Sequence, residues 1–216
     1  VPWVLCCWWL FCPCPPCPGL AAGGHGGISL VECGVVLLLV GVTAAIAIPS
    51  ILSGLDDARA FGAARHLAAM VRGARAQAAM RSRSVGLRFE RDGSGYRYAL
   101  FVDGNGNGLR ASDVHSGRDQ QIGDARRLSE GFPGVTFGFV SDASEGSSMR
   151  VRGAEPDPIR LGLRDVIVFS PFGTGTSGTL YVRSRSGRQY AVRVFGGTGR
   201  TRVLEFRRQE GSWVIR

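Results

Sequence analysis

The chain has 216 residues, a length that allows one domain of ordinary size plus an appendage. Its formal net charge is +9 at pH 7, and all 26 basic residues are arginine because the sequence has no lysine. This positive charge has two interpretations. Either GC-rich coding has favoured arginine on a solvated surface, or the surface binds an anionic partner such as nucleic acid or phospholipid. Cys33 is the last cysteine, which excludes a disulfide or a thiolate metal site from the rest of the chain.

Residues 1–27 contain no Asp, Glu, Lys or Arg. Five cysteines lie among prolines in this segment, but no downstream His or Cys completes a zinc-type spacing. We expect these residues to be a leader peptide or a wrongly included upstream extension, and they are left out of the predicted fold.

Residues 28–52 are apolar, with Glu32 and Pro49 as interruptions. A helix needs about 20 such residues to cross the hydrocarbon core of a bilayer, so we predict a transmembrane helix here. A secretory signal peptide is the competing interpretation. Against it, no charged region precedes the apolar run and no small-residue cleavage site follows it.

The start of this segment, Gly27-Ile28-Ser29-Leu30-Val31-Glu32, resembles the prepilin processing motif of type IV pilin-like proteins. The resemblance implies that a membrane prepilin peptidase cleaves between Gly27 and Ile28, and that Ile28 is then N-methylated. Prepilin leaders normally carry Lys or Arg before the glycine, whereas this chain has His25 there. Pro49 also lies where pilin-like helices usually carry a proline.

A carboxylate at membrane depth costs a few kcal/mol, so Glu32 should be paired or functional. The resemblance implies that Glu32 docks the subunit by neutralising the terminal amine of Ile28 in a neighbouring subunit. The alternative is a glutamate that reaches the lipid headgroups. Pro49 lacks an N–H group and should kink or loosen the helix.

Residues 53–83 continue as a predicted amphipathic helix, whose apolar face should pack on a sheet. The apolar positions at helical spacing are Ile51, Leu55, Ala58, Phe61, Ala64, Leu67, Ala68, Val71, Ala74 and Ala78.

Residues 84–216 show strand patterns separated by turn signals, beginning with a hairpin of Val85–Glu90 and Tyr96–Val102. Later predicted strands are Val135–Val140, Met149–Arg152, Val166–Ser170, Thr179–Ser184, Gln189–Val194, Arg200–Arg207 and Trp213–Arg216. One long helix followed by many strands indicates an α+β fold, with an antiparallel sheet wrapped on the helix.

The segment from Val166 onward is similar to the C-terminal part of the GspH/FimT family. The shared elements are Phe169-Ser170-Pro171-Phe172-Gly173, Ser177-Gly178-Thr179-Leu180 and Gly199-Arg200-Thr201-Arg202. The resemblance implies a pilin-like fold and a minor pseudopilin of type II secretion, a structural subunit of a periplasmic pseudopilus. Its implied partners are other pseudopilins or pilins, the prepilin peptidase, an inner-membrane assembly platform and membrane lipid. Its implied location is the inner membrane, with a single span and the C-terminal domain in the periplasm.

The segment Asp103-Gly104-Asn105-Gly106-Asn107-Gly108 places oxygen ligands at alternate positions, as calcium loops do. Asp113 lies one residue short of the position where a closing carboxylate is expected. The two interpretations are a Gly/Asn turn at the end of a strand and a calcium site formed by Asp103, Asn105, Asn107 and Asp113.

No arrangement of nucleophile, base and acid emerges, so we expect no catalysis and no cofactor apart from the calcium alternative. The second function considered is a FimT-type minor pilin of a type IV pilus that binds DNA for uptake. Arginines near the C-terminus that could track phosphates are Arg200, Arg202, Arg207 and Arg208. The third is an unrelated single-pass membrane protein.

Overall fold

The structure, a computed structural model, describes residues 29–93, 95–140, 157–161 and 165–216. The leader, the cleavage site Gly27 and Ile28, and the predicted strand Met149–Arg152 lie outside the described residues. The chain divides into two units, residues 1–45 and 46–216, and each is described by itself below.

A single long helix, α1, runs from Leu30 to Arg81 and contains Pro49 without a break in the helix assignment. In the described part of the first unit, residues 29–45, every large apolar side chain of α1 is exposed. The Thr43 hydroxyl donates to the carbonyl groups of Leu39 and Val40 at 3.0 Å each. Apart from Glu32, this part of α1 therefore offers an apolar surface on all sides, and its Thr43 hydroxyl is hydrogen-bonded within the helix, which suits a lipid environment.

In the second unit α1 changes character because one face becomes buried. The buried residues are Ala60, Ala63, Ala64, Leu67, Ala68, Val71, Ala74 and Ala78. The predicted apolar face is correct from Phe61 onward and wrong before it, since Ile51, Leu55 and Ala58 are exposed. Burial begins at Ala60, close to Asp57, where α1 first contacts the sheet through Tyr190.

The strands and short helices follow α1 in a fixed order along the chain. They are β1 (Val85–Asp92), β2 (Gly95–Val102), α2 (Ala111–His115), β3 (Gln120–Arg127), α3 (Leu128–Gly131), β4 (Val135–Phe137), β5 (Ile159–Arg160), β6 (Val166–Phe169), β7 (Gly178–Ser184), β8 (Gln189–Phe195), β9 (Arg200–Arg207) and β10 (Ser212–Ile215).

The first sheet is four-stranded and antiparallel, with the order β3-β2-β1-β6. Its centre is the predicted hairpin, which is confirmed with β1 and β2 paired from Val85 opposite Val102 to Asp92 opposite Gly95. The edge strand β3 was not predicted from the sequence. Most of its residues are exposed and polar, so it lacks the alternation that marks a half-buried strand.

The second sheet has the order β10-β9-β8-β7-β4, and β5 pairs with β7 beside β4. The strands predicted over 166–216 are confirmed with their bounds shifted by at most one residue, and β4 is shorter than predicted. The α+β class with a long helix on antiparallel strands is confirmed. The expectation of one sheet is wrong, because the described strands form two.

Both sheets and the second part of α1 contribute to one hydrophobic core. Alanines and Gly62 dominate the helix face, and the larger side chains come from the strands, including Leu87, Phe169 and Tyr190. Small residues on the helix let the strands approach it closely, so the core is filled mainly from the sheet side.

Candidate functional site

The first candidate site is the exposed apolar part of α1 with its single carboxylate. Among the described residues before Asp56, Glu32 is the only charged side chain, and it lies in the first turn of α1. By length and composition α1 can cross a membrane. A carboxylate in the first turn interacts favourably with the helix dipole, but dipole compensation alone does not require it at membrane depth. The roles predicted for Glu32 and Pro49 remain predictions.

The second candidate site is a groove of about 660 Å³ in the second unit, between α1 and strands β9 and β10. Arginine side chains reach it from three elements, since Arg65 and Arg72 lie on α1, Arg200 and Arg202 on β9, and Arg216 directly follows β10. The groove thus contains two of the four arginines predicted for DNA binding, Arg200 and Arg202. It also contains two helix arginines, Arg65 and Arg72, for which no binding role was predicted from the sequence.

The other two predicted arginines lie elsewhere. Arg207 donates to Glu210 at 2.9 Å, a pair exposed to solvent near the turn between β9 and β10. Arg208 also has an interaction partner, and Gly187 lies beside its guanidinium. Neither residue lines the groove between α1, β9 and β10, which we call the arginine groove.

The third candidate is the loop after β2, where the calcium site was predicted. The buried carboxylate of Asp103 accepts backbone N–H bonds from Asn105 at 3.2 Å and from Gly106 and Gly108 at 2.7 Å each. The amide groups of Asn105 and Asn107 donate to Asp113 at 3.3 and 3.0 Å. The predicted residues therefore do come together.

Asp119, which the sequence interpretation missed, closes the same loop. Its carboxylate is buried and accepts the N–H groups of Gly104 and Arg110 at 3.2 Å each. With these donors in place, the carboxylate oxygens accept hydrogen bonds that stabilise a turn. These bonds support the turn interpretation, and calcium binding by Asp103, Asn105, Asn107 and Asp113 stays a prediction.

The environment of Asp113 favours its ionised form. Hydrogen bonds from Asn107 and Asn105, with a smaller contribution from the nearby Arg118, hold the pKa of Asp113 below its ordinary value. The charge of this carboxylate thus helps to hold the loop in place.

The family-like motifs near the C-terminus meet around one helix arginine. Gly173 and Gly199 have φ of +84° and +63°, and a methyl group on either would lie within 3.0 Å of the Arg75 side chain. Gly175 donates its N–H to Gly196 at 2.7 Å, which ties the two loops together. The glycines of both motifs therefore serve backbone geometry and close packing on α1.

A polar network joins α1 to the second sheet. The Tyr190 hydroxyl donates to Asp57 at 2.6 Å, and Arg188 lies 3.9 Å from Asp57 and 3.8 Å from the buried Glu205. Arg216 donates to Glu205 at 2.6 Å. Burial, followed by the hydrogen bond to Asp57, raises the pKa of Tyr190 above its ordinary value. These contacts are those of a structural joint.

The described residues hold no group of three or more His, Cys, Asp or Glu side chains that could bind a metal ion. His66 packs against Phe132 at 5.7 Å, and burial together with Arg126 lowers its pKa. His115 is exposed on α2. Two of the candidate sites in the described part of the chain are surfaces: the apolar part of α1 with Glu32, and the arginine groove.

The described chain thus combines an exposed apolar helix part, which carries one carboxylate in its first turn, with an α+β domain that contains the rest of α1. Residues 63–160 match the family model described as "Type II transport protein GspH".

Among solved structures, the chain is similar to the minor pseudopilin EpsH from the Type 2 Secretion System of Vibrio cholerae. The two are 15% identical, with a TM-score of 0.42, over 68% of this chain and 97% of EpsH. No curated protein matches the chain.

Proposed function

We propose that this protein is a minor pseudopilin of a type II secretion system, a structural subunit that joins other pseudopilins in a pseudopilus. The observation that carries the proposal is the combination of a GspH match over residues 63–160 with a preceding helix able to cross a membrane. The function is mechanical, and the protein has no enzymatic activity of its own.

The apolar part of α1 anchors the subunit in the inner membrane as a single transmembrane span. The domain from Asp56 onward then lies in the periplasm. An inner-membrane assembly platform extracts the subunit from the lipid into the filament. Glu32 then docks by pairing with the terminal amine of a neighbouring subunit. This docking role is supported by the position of Glu32: a lone carboxylate in the part of α1 before Asp56, which is otherwise uncharged, is costly in lipid and needs a cationic partner there.

The amine that Glu32 needs is supplied by processing. A prepilin peptidase cleaves after Gly27, and Ile28 becomes the N-methylated terminus of the mature subunit. Pro49 loosens the helix where it leaves the bilayer. The support for these steps is the sequence Gly27-Ile28-Ser29-Leu30-Val31-Glu32 and its distance from Pro49.

Deletion of the gene from its own host tests the function. We expect loss of a secreted enzyme from the medium, with accumulation of that enzyme in the periplasm, and rescue by the wild-type gene. Glu32→Gln should fail to rescue although the protein is stable and membrane-bound. Asp124→Asn, which removes an exposed acid from β3, should rescue fully.

A deletion strain that secretes normally but loses pilus-dependent motility or DNA uptake would instead assign the protein to a type IV pilus as a FimT-type minor pilin. If the deletion strain shows normal secretion, motility and DNA uptake, the remaining interpretation is an unrelated single-pass membrane protein.

A further inference from the structure

The arginine groove has an unusual balance of charge. Ten residues line it, of which five are arginine and none is acidic. Arg216 is neutralised by Glu205, but no described acid forms an ion pair with Arg65, Arg72, Arg200 or Arg202. The groove therefore has a net positive charge that no ion pair among the described residues compensates.

The arginines form two rows. Arg65 and Arg72 are seven residues apart and so lie about 10 Å apart on one face of α1. Arg200 and Arg202 are two residues apart and lie about 7 Å apart on one face of β9. Apolar side chains, including Phe61 and Val203, also line the groove. A ligand that matches this surface carries spaced negative charges and an apolar group.

A single-stranded nucleic acid matches the groove poorly, because such strands bind by stacking bases on aromatic rings as well as by phosphate contacts. The groove has one aromatic ring, Phe61, and the guanidinium groups of Arg65 and Arg216 already lie over it at 5.7 and 5.4 Å. Tyr190 packs beside the same ring at 5.7 Å. No ring in the groove is free to receive a base.

We propose that the arginine groove binds an acidic polypeptide segment of a partner protein. Its carboxylates pair with the two arginine rows, and an aliphatic side chain packs on the apolar side chains that line the groove. Arginine suits this role because its planar guanidinium pairs with carboxylates in a bidentate manner. A second copy of this chain is a poor occupant, since each copy carries a net charge of +9. The groove is independent of the type of filament that the protein joins.

Fluorescence anisotropy on the full chain in non-ionic detergent tests the proposal, with a labelled peptide of alternating Glu and Leu as the probe. The double variant Arg72→Gln/Arg200→Gln removes one exposed charge from each row. We expect it to weaken peptide binding about tenfold. The control Arg81→Gln/Arg185→Gln removes two exposed arginines outside the groove and should bind like the wild type.

Three results would overturn the proposal. The first is an equal affinity of the groove variant and the control variant for the acidic peptide. The second is equal binding of a peptide of alternating Gln and Leu, which would show that charge is irrelevant. The third is displacement of the acidic peptide by a lower concentration of oligothymidine, which would assign the groove to nucleic acid.

Discussion

The hydroxyl of Tyr190 on β8 donates to the carboxylate of Asp57 on α1 over 2.6 Å, although 133 residues separate them in sequence. This bond lies close to the point where the buried face of α1 begins, at Ala60. It therefore joins the second sheet to the helix where the helix first becomes part of the folded domain.

Replacing Tyr190 by Phe should lower the free energy of unfolding by about 1–2 kcal/mol, because it leaves the partly buried Asp57 carboxylate without its shortest hydrogen bond. Urea unfolding in detergent, followed by circular dichroism, measures this. Tyr181→Phe is the matched control, since Tyr181 is also buried and its hydroxyl has no described hydrogen bond. Equal losses in the two variants would show that the hydroxyl of Tyr190 contributes nothing specific.

Gly199→Ala should destabilise the domain by about 1–3 kcal/mol, because an L-residue at positive φ is strained. The added methyl group would also lie 2.7 Å from both Arg75 Nε and the Gly173 carbonyl. Gly197→Ala in the same loop is the control, since it has no atom within 4 Å and no positive φ. Thermal unfolding should distinguish the two variants, and an unchanged melting temperature for Gly199→Ala would contradict the close packing on Arg75.

The loop after β2 should lose stability in acid. Because the pKa of Asp113 is lowered in the folded state, its carboxylate stabilises the fold above about pH 4, the ordinary pKa of Asp. That contribution disappears as the pH falls through the lowered pKa. Asp113→Asn should therefore be less stable than the wild type at neutral pH and show a smaller further loss in acid. If the free energy of unfolding decreased equally in acid for the two proteins, this stabilising role of Asp113 would be contradicted.

Calcium should leave the melting temperature unchanged, whether it is added or removed with a chelator. The reason is that backbone N–H groups already occupy the carboxylate oxygens of Asp103 and Asp119. Differential scanning calorimetry with and without calcium measures this. A saturable rise in melting temperature that is lost in Asp103→Asn would restore the calcium interpretation.

Much of this fold could be predicted because its signals are local. The apolar run before Ser53 and the strand patterns from Val166 onward depend only on neighbouring residues, and both agree with the structure in their described parts. β3 could not be predicted, since its residues are mostly polar and it forms only by pairing with β2. The division of the strands into two sheets depends on tertiary pairing, which single-strand patterns do not contain.

The arginine groove also depends on tertiary packing, so it could be predicted only in part from the sequence. Helical spacing places Arg65 and Arg72 on one face of α1, and strand alternation places Arg200 and Arg202 on one face of β9. Sequence proximity instead suggested that Arg200 and Arg202 act together with Arg207 and Arg208. Only the packing of α1 beside β9 brings the helix arginines into the groove and leaves Arg207 with Glu210.

Mass spectrometry of the mature protein, purified from the membranes of its own host, tests the pilin-like assignment most directly. The account predicts an N-terminal peptide that begins with N-methylated Ile28, and it predicts that this peptide is absent from a strain without the prepilin peptidase. A membrane-bound protein that retains Gly27 and the residues before it would contradict the account.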